Sequence, residues 1–126
     1  METKELNMPT KEIAKRLTSY CRKADWGGAH RELYADNAVS IEPYETPEFA
    51  KETRGLNAIE EKGRKFESMV EQVHGIEVSE PLIAGNTIAF TMAMDITMKG
   101  QGRMSMPELC VYQVKDGKIA REEFFV

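Results

Sequence analysis

Two glutamates lie in apolar surroundings where a carboxyl group could perform acid/base chemistry. Glu42 ends a short predicted strand, residues 38–42, directly before Pro43. Glu108 interrupts an alternating series of large side chains, which places it inside an apolar wall if that face is buried. A carboxyl group in such a pocket has a raised pKa and can exchange protons near neutral pH. We therefore predict Glu42 as a general base, and Glu108 or a tyrosine as the group that stabilises a developing oxyanion.

Each of these two glutamates also has a purely structural interpretation. Glu42 could lie at the rim of a pocket or form a salt bridge with Arg54. Pro107 could introduce a bulge that turns Glu108 outward, since proline donates no hydrogen bond to a neighbouring strand. A buried, unpaired charge is too costly to be accidental, so an inward Glu108 must be paired, neutral or functional. The sequence alone leaves both orientations of Glu108 open.

A third acidic candidate lies near the C-terminus of the chain. Glu122 and Glu123 fall on opposite faces of the predicted last strand, because successive side chains alternate in direction. One of the two is expected to point inward, and Glu122 is the candidate ligand contact. The alternative is an edge strand in which both glutamates are exposed.

Large apolar side chains are predicted to line the space between the helices and the sheet. Core packing explains most of them, but a methionine-rich wall is adaptable and suits a small apolar or planar ligand. The candidate ligand-binding residues of this wall are Tyr20, Trp26, Phe90, Met92, Met94, Met106, Cys110 and Tyr112.

Histidines and cysteines are too sparse to predict a metal site. His30 is expected on the outside of its helix or packed against Tyr34, and His74 at a helix C-terminus, where the dipole favours a cation. Cys21 and Cys110 lie in apolar patterns and are predicted to be buried free thiols. Because the sequence contains no ligand-like spacing, phosphate loop or dinucleotide fingerprint, we expect no metal and no other cofactor.

The composition is that of a single globular domain spanning residues 1–126, with residues 1–8 as a loose arm. Its net charge of −4 disfavours binding to nucleic acid or to an anionic membrane surface. The sequence has no apolar run long enough to span a membrane and no apolar signal core near its start, so we predict a cytoplasmic protein. The nearest approach to a basic patch is interpreted as a solvated helix face neutralised by acidic neighbours; it comprises Lys62, Arg64 and Lys65.

Three helices are predicted in the first part of the chain. The first opens at Pro9 with Thr10 as its N-cap, and the second is a shorter helix capped by Asp25. The third covers about residues 56–73, with Gly63 on its buried stripe, where a glycine would allow close approach to a sheet.

The second part of the chain is predicted to form antiparallel strands over residues 75–84, 87–99, 103–115 and 118–126. In the strand 87–99 the even positions are large and apolar, whereas the odd positions are small and mixed. This order predicts an α+β fold with the helices on one face of the sheet. The loop over residues 43–54 directly follows Glu42 and is a candidate lid.

Four short passages in this order resemble the SnoaL-like, ketosteroid-isomerase-like superfamily, whose fold is shared with nuclear transport factor two. They are Ala24-Asp25-Trp26, the stretch LYADNAV at residues 33–39, the stretch RGLNAI at residues 54–59, and VKDGKI at residues 114–119. The resemblance covers nearly the whole chain. It implies three N-terminal helices packed on a curved, mostly antiparallel sheet that forms a cone-shaped pocket.

The resemblance also bears on the site residues. Glu42 before Pro43 stands where the isomerases carry their aspartate base. Their first-helix tyrosine corresponds to a position near Leu17 or Thr18, so that role does not pass to Tyr20. Their protonated acid on a late strand corresponds to Glu108 or Cys110. Steroid isomerisation is therefore not implied.

Two functions follow as hypotheses from these observations. The first is a cofactor-independent isomerase or cyclase that uses carboxylate acid/base chemistry on a small apolar carbonyl compound. The second is a non-catalytic ligand-binding or protein-interaction domain, which the absence of a complete catalytic set favours. Under either hypothesis we predict a homodimer formed through the small, mixed outer face of the sheet, where members of the superfamily often pair.

Overall fold

The architecture is seen in a computed structural model, which describes residues 7–126. Within that range the chain forms three helices, α1 (Thr10–Arg22), α2 (Trp26–Leu33) and α3 (Leu56–Met69). Its strands are β1 (Tyr34–Ile41), β2 (Glu52–Arg54), β3 (Val70–Val78), β4 (Leu82–Ala84), β5 (Thr87–Met98), β6 (Gly102–Lys115) and β7 (Lys118–Phe125). Most of the predicted N-terminal arm, residues 1–6, lies outside the described residues. Met8, which was included in that arm, packs against the core.

The beginnings of the first two helices show one correct prediction and one wrong one. Asp25 caps α2, and its carboxylate accepts a hydrogen bond from the Gly28 N–H at 2.9 Å. Thr10 does not cap α1. It is the first helical residue, and the cap position belongs to Pro9, whose carbonyl accepts hydrogen bonds from the N–H groups of Glu12 and Ile13.

The third helix ends earlier than the spacing predicted. It stops at Met69, and Val70 begins β3, because β-branched residues favour an extended strand and Val70 and Val73 pair with β5. His74 therefore lies on a strand and not at a helix end, and its Nε2 atom is hydrogen-bonded to the Thr97 hydroxyl at 2.7 Å. The predicted strand 75–84 is divided into β3 and β4 around Pro81.

The seven strands described for residues 7–126 form one sheet with the order β2-β1-β7-β6-β5-β3, and β4 pairs with β5. All pairings are antiparallel except that of β1 with β7. Strand β1 starts directly after α2, so Asp36 and Asn37 do not form a turn; a register shift between Tyr34 and Val39 accommodates them. Strand β2 lies within the segment that was predicted to be a loop.

The core lies between the helices and the inner face of the sheet. The alternation predicted for β5 is confirmed, since its even-numbered residues are all buried: Ile88, Phe90, Met92, Met94, Ile96 and Met98. The α+β class, with helices packed on a mostly antiparallel sheet, is confirmed as well. No helix within residues 7–126 is long and apolar enough to cross a membrane.

Gly63 allows a close approach, but to a different partner from the one predicted. A Cβ atom at this position would lie 3.3 Å from Cε1 of His30, on α2, and not against the sheet. The absence of a side chain thus lets α3 pack closely on α2. These two helices, together with the inner face of the sheet, enclose the cavity described next.

Candidate functional site

A cavity of about 290 Å³ lies between the helices and the inner face of the sheet. Trp26 on α2 contributes to its wall, as do Met92 and Met94 on β5 and Met106 and Tyr112 on β6. These five side chains were predicted at such a wall. Because the methionines can change conformation at little cost, this part of the cavity can adjust to the shape of a ligand.

Three other residues predicted for the wall do not line this cavity. The ring of Tyr20 packs against Gly28, and its hydroxyl donates a hydrogen bond to Glu32 at 2.5 Å. Phe90 is buried in the core and stacks on Tyr112, with ring centroids 5.4 Å apart. Cys110 is fully buried beneath the wall.

Glu42 is the residue directly after β1, and it lines the cavity. Its N–H donates to the carbonyl of Lys51 at 2.7 Å, which fixes its backbone against the neighbouring strand segment. The predicted alternative partner is wrong: Arg54 pairs with Glu52 instead. The carboxylate of Glu42 accepts a hydrogen bond from the ammonium of Lys62 on α3, with Oε2 and Nζ 2.8 Å apart.

Lys62 was assigned to a solvated helix face, and that prediction is wrong. Its side chain is only 15% exposed, and that of Glu42 is 26% exposed, so the ion pair is largely shielded from water. The spacing held a signal for this placement, because Lys62 follows Ile59 by three residues and precedes Phe66 by four. The same ammonium lies 5.8 Å from the centroid of the Phe124 ring.

A polar cluster continues from Lys62 into the floor of the cavity. The Lys62 ammonium donates to the Ser40 hydroxyl at 2.6 Å, and Ser40 lies opposite Glu122 in the β1–β7 pair. Glu122 is buried and accepts a hydrogen bond from the Tyr34 hydroxyl. Burial raises the pKa of Glu122, although hydrogen bonds from Ser40 and Tyr34 act in the opposite direction.

The orientation of the two C-terminal glutamates is now defined. Glu122 points inward, whereas Glu123 is ion-paired with Arg121 on the other face of β7. Tyr34 was not among the predicted site residues, although it lines the cavity and holds Glu122. The helix-like spacing of its surroundings hid this role, since Tyr34 is the first residue of β1 and not the last of a helix.

Glu108 points inward and lines the same cavity as Glu42. The bulge that would have turned it outward is absent at this place in the described structure: Met92 pairs with Glu108, and Ala93 with Pro107, in unbroken register. Burial, reinforced by the charge of Glu42, raises the pKa of Glu108 to about 7. The Cys110 thiol donates to Oε1 of Glu108 at 3.6 Å, and burial raises the pKa of this thiol.

His30 and Cys21 line the cavity as uncharged side chains. His30 lines the cavity and packs edge-on against Tyr34, with ring centroids 4.8 Å apart. Burial lowers the pKa of His30, so this ring is neutral near pH 7. Cys21 also lines the cavity, and burial raises its pKa to about 12. In residues 7–126, no three His, Cys, Asp or Glu side chains are grouped so that they could hold a metal ion.

The loop after Glu42 forms part of the cavity wall, to which it contributes Pro43, Tyr44, Thr46 and Phe49. The Phe49 N–H donates to the Thr46 hydroxyl at 3.0 Å, which fixes a tight turn. Lys65 on α3 contacts the loop twice: its ammonium donates to the Glu48 carbonyl at 2.5 Å and lies 5.2 Å from the centroid of the Phe49 ring. The loop is thereby attached to the helix that carries Lys62.

The chemical content of the cavity is therefore a pair of carboxyl groups in different environments. Glu42 is a carboxylate whose charge is compensated by Lys62. Glu108 lies among apolar atoms and exchanges its proton near neutral pH. An arrangement of this kind can remove a proton at one carboxyl group and donate a hydrogen bond from the other.

Comparison with known proteins identifies the family of the chain. The profile of the SnoaL-like domain family matches residues 8–126. Among curated proteins, none matches the chain significantly. A candidate SnoaL-like polyketide cyclase from Mesorhizobium loti is 33% identical to this chain, with a TM-score of 0.86 over 94% of this chain and 100% of that one.

Two further solved structures share the fold at lower identity. A protein with a cystatin-like fold from Xanthomonas campestris is 18% identical, with a TM-score of 0.79 over 94% of this chain and 90% of that one. A protein with a ketosteroid isomerase-like fold from Catenulispora acidiphila, solved in complex with trimethylamine, is 13% identical. Its TM-score is 0.71 over 91% of this chain and 85% of that one. The superfamily resemblance of the sequence is thus confirmed.

Proposed function

The chain belongs to the SnoaL-like domain family, and from that premise we propose that it is a cofactor-independent enzyme of the isomerase or cyclase type. Its substrate would be a small apolar carbonyl compound held in the cavity between the helices and the sheet. The observation that carries this proposal is the pair of unlike carboxyl groups: Glu42, which is ion-paired, and Glu108, whose pKa is raised to about 7. Environments that separate the protonation of two carboxyl groups are typical of acid/base sites.

In the proposed reaction Glu42 removes a proton from the carbon next to the carbonyl group. The electron pair of the broken C–H bond forms a C=C bond, and the carbonyl π pair moves to the oxygen, which gives an enolate. Glu108 in its protonated form donates a hydrogen bond to that oxygen. Return of the proton to another carbon completes an isomerisation, whereas attack of the enolate carbon on a second carbonyl group closes a ring.

The residues of the cavity wall support the proposal of a small apolar substrate. Met92, Met94 and Met106 present an adaptable apolar surface, and Trp26 and Tyr112 present aromatic faces. A cavity of about 290 Å³ suits a small molecule rather than a polymer. The Mesorhizobium loti relative is a candidate polyketide cyclase, which agrees with carbonyl chemistry at this site.

Exchange of α-protons for deuterium tests this proposal without the natural substrate. We would follow 2-tetralone, a small apolar ketone, by proton NMR in heavy water. The wild-type protein is expected to accelerate exchange, and E42Q to reduce that acceleration by roughly a hundredfold or more, the usual effect of losing a general base. E61Q, which removes an exposed carboxylate from α3, is the matched control. Equal exchange by the wild type and E42Q would overturn the proposal.

A second candidate function is ligand binding without catalysis. The specific observation in its favour is that Lys62 already occupies one oxygen of Glu42. In addition, Tyr20, the tyrosine of the first helix, is directed toward Glu32. If 2-tetralone binds to the protein but no exchange exceeds that of the buffer, this second function is supported.

We also propose that the chain forms a homodimer through the outer face of the sheet. Leu109 and Phe125, paired across β6 and β7, are 40% and 44% exposed there. Two ion pairs flank them on this face, Asp95 with Arg103 and Arg121 with Glu123. The match of the family profile to residues 8–126 supports the further proposal that the chain is a single domain.

A further inference from the structure

We propose that Lys62 is a ligand-binding and catalytic residue that takes the oxyanion of an enol or phenol, the substrate class of this cavity. The inference deepens the proposed function and rests on its assignment of the cavity as the reaction site. It assigns a role to Lys62, which the charge pattern placed on a solvated helix face and to which the family resemblance gave no function. It also narrows the ligand from carbonyl compounds in general to those whose deprotonated oxygen carries a delocalised charge.

The geometry gives Lys62 a hydrogen-bond donor that is still available. An ammonium group has three N–H donors. Two of them are directed at the Ser40 hydroxyl, at 2.6 Å, and at Oε2 of Glu42, at 2.8 Å. No third acceptor is hydrogen-bonded to Nζ among residues 7–126. Because Lys62 lines the cavity and its side chain is only 15% exposed, the remaining donor is available to a molecule inside it.

Lys62 is also the cation that an anionic oxygen would meet in this cavity. No arginine and no second lysine line it within the part of the chain that the structure describes. His30 lines it too, but burial lowers the pKa of that ring and keeps it neutral. Glu108 in its protonated form can donate a second hydrogen bond to that oxygen, but among these lining residues it is Lys62 that carries a charge able to neutralise it.

Charge balance favours an enol or phenol over a ligand that arrives as an anion. A permanent anion must shed its hydration before it enters the apolar cavity, at a large cost. An enol or phenol enters neutral and then transfers its proton to Glu42. The O–H bond breaks, an O–H bond to the carboxylate forms, and the electron pair remains on the ligand oxygen. The negative charge thus moves from Glu42 to the ligand, and Lys62 stays paired throughout.

The same movement of negative charge, from Glu42 to the ligand oxygen, accompanies formation of the enolate in the proposed reaction. When Glu42 removes the α-proton of a ketone, the charge that leaves its carboxylate reappears on the ketone oxygen. A cation in contact with both groups stabilises the charge in either position, so it needs no rearrangement during the step. The Phe124 ring, 5.8 Å from Nζ, helps to exclude water from this contact.

The probe 4-nitrophenol tests the inference, because its phenolate absorbs visible light and its phenol does not. In E42Q the lysine has lost its carboxylate, so this variant is expected to bind phenolate preferentially. E42Q/K62M should bind phenolate at least about tenfold more weakly than E42Q, the usual scale of one charge-assisted hydrogen bond. Both variants should bind the neutral phenol, measured in acid, with similar affinity. E42Q/K62R should restore phenolate binding, since it restores the cation.

The control is E42Q/R64M, which removes an exposed cation from the same helix and should leave phenolate binding unchanged. Equal phenolate affinity in E42Q and E42Q/K62M, with both folded by circular dichroism, would overturn the role of Lys62. This outcome is distinct from failure of the proposed function. A protein that binds phenolate through Lys62 but exchanges no α-proton would keep the ligand-binding role of Lys62 and would contradict both its catalytic role and the proposed enzyme.

Discussion

The Nζ atom of Lys62 on α3 lies 2.8 Å from Oε2 of Glu42, which follows β1, so a helix and a strand are joined by an ion pair inside the cavity. The ammonium of Lys62 compensates the charge of this carboxylate beside an apolar wall. It also connects Glu42, through Ser40, to the buried Glu122. One cation therefore lies near two acidic groups that came from separate parts of the sequence.

The ion pair should couple the two residues energetically. Removing either partner alone leaves a charge in a largely shielded place, whereas removing both leaves none. A double-mutant cycle of E42Q, K62M and E42Q/K62M is expected to give a coupling free energy of about 1–2 kcal/mol. Urea denaturation measures it. A coupling indistinguishable from zero would mean that the pair is solvated and contributes nothing.

The raised pKa of Glu108 should appear in the pH dependence of stability. Between its ordinary value of 4.5 and about 7, the folded protein holds a proton that the unfolded chain has released. Wild-type stability therefore falls as the pH rises through this window, by an amount on the order of 3 kcal/mol. E108Q lacks this titration, so it should match the wild type near about pH 4 and exceed it near about pH 8.

Urea denaturation of both proteins at these two pH values checks this prediction. E42Q serves as a comparison, because removing the Glu42 charge relieves part of the cause of the Glu108 shift. A constant difference between E108Q and the wild type at both pH values would contradict the prediction.

Two tyrosines should differ in their importance to stability. Tyr34 donates to the buried Glu122, so Y34F removes one of the two hydrogen bonds that this carboxyl group accepts and should cost about 1–3 kcal/mol. Tyr20 donates to Glu32 near the surface, so Y20F should cost less than about 1 kcal/mol. Thermal denaturation of the two variants compares them directly. A larger loss in Y20F than in Y34F would argue against a structural role for the Tyr34–Glu122 contact.

The proposed dimer predicts that a charge on the outer face of the sheet releases monomers. L109E places a carboxylate at the centre of the exposed apolar patch that includes Phe125. V73E is the control, because Val73 is 46% exposed but pairs with Ile96, on the inner face. Sedimentation velocity at micromolar concentration should show a dimer for the wild type and V73E, and a monomer for L109E. A monomeric wild type would end this proposal.

Local patterns in the sequence predicted most of the fold but only part of the site. The alternation of β5 and the Asp25 cap depend on neighbouring residues, so spacing was sufficient to find them. The orientation of Glu108 depends on its pairing with Met92 across two strands, which no local pattern near Pro107 contains. Residues whose environment depends on such long-range pairing could not be predicted from local patterns, whereas the others could.

The two polar residues missed by the prediction show the same limit. Lys62 belongs to a residue type that is usually exposed, and its contact with Glu42 becomes evident only from the position of β1 beside α3. Tyr34 lies at the junction of α2 and β1, and its partner Glu122 is far away in sequence. The role of Tyr34 depends on the parallel pairing of β1 with β7, two strands far apart in the sequence, and that of Lys62 on the packing of α3 beside β1.

The most direct test of this account is a carbon-13 NMR titration of the glutamate carboxyl groups, with E108Q used to assign Glu108. Glu108 is expected to titrate with a midpoint near 7 in the wild type. In E42Q the midpoint should be lower, because the charge of Glu42 contributes to the shift. A Glu108 midpoint near 4.5, unchanged by E42Q, would contradict the central claim that this cavity holds an ion-paired carboxylate and a second carboxyl group whose pKa is raised by its surroundings.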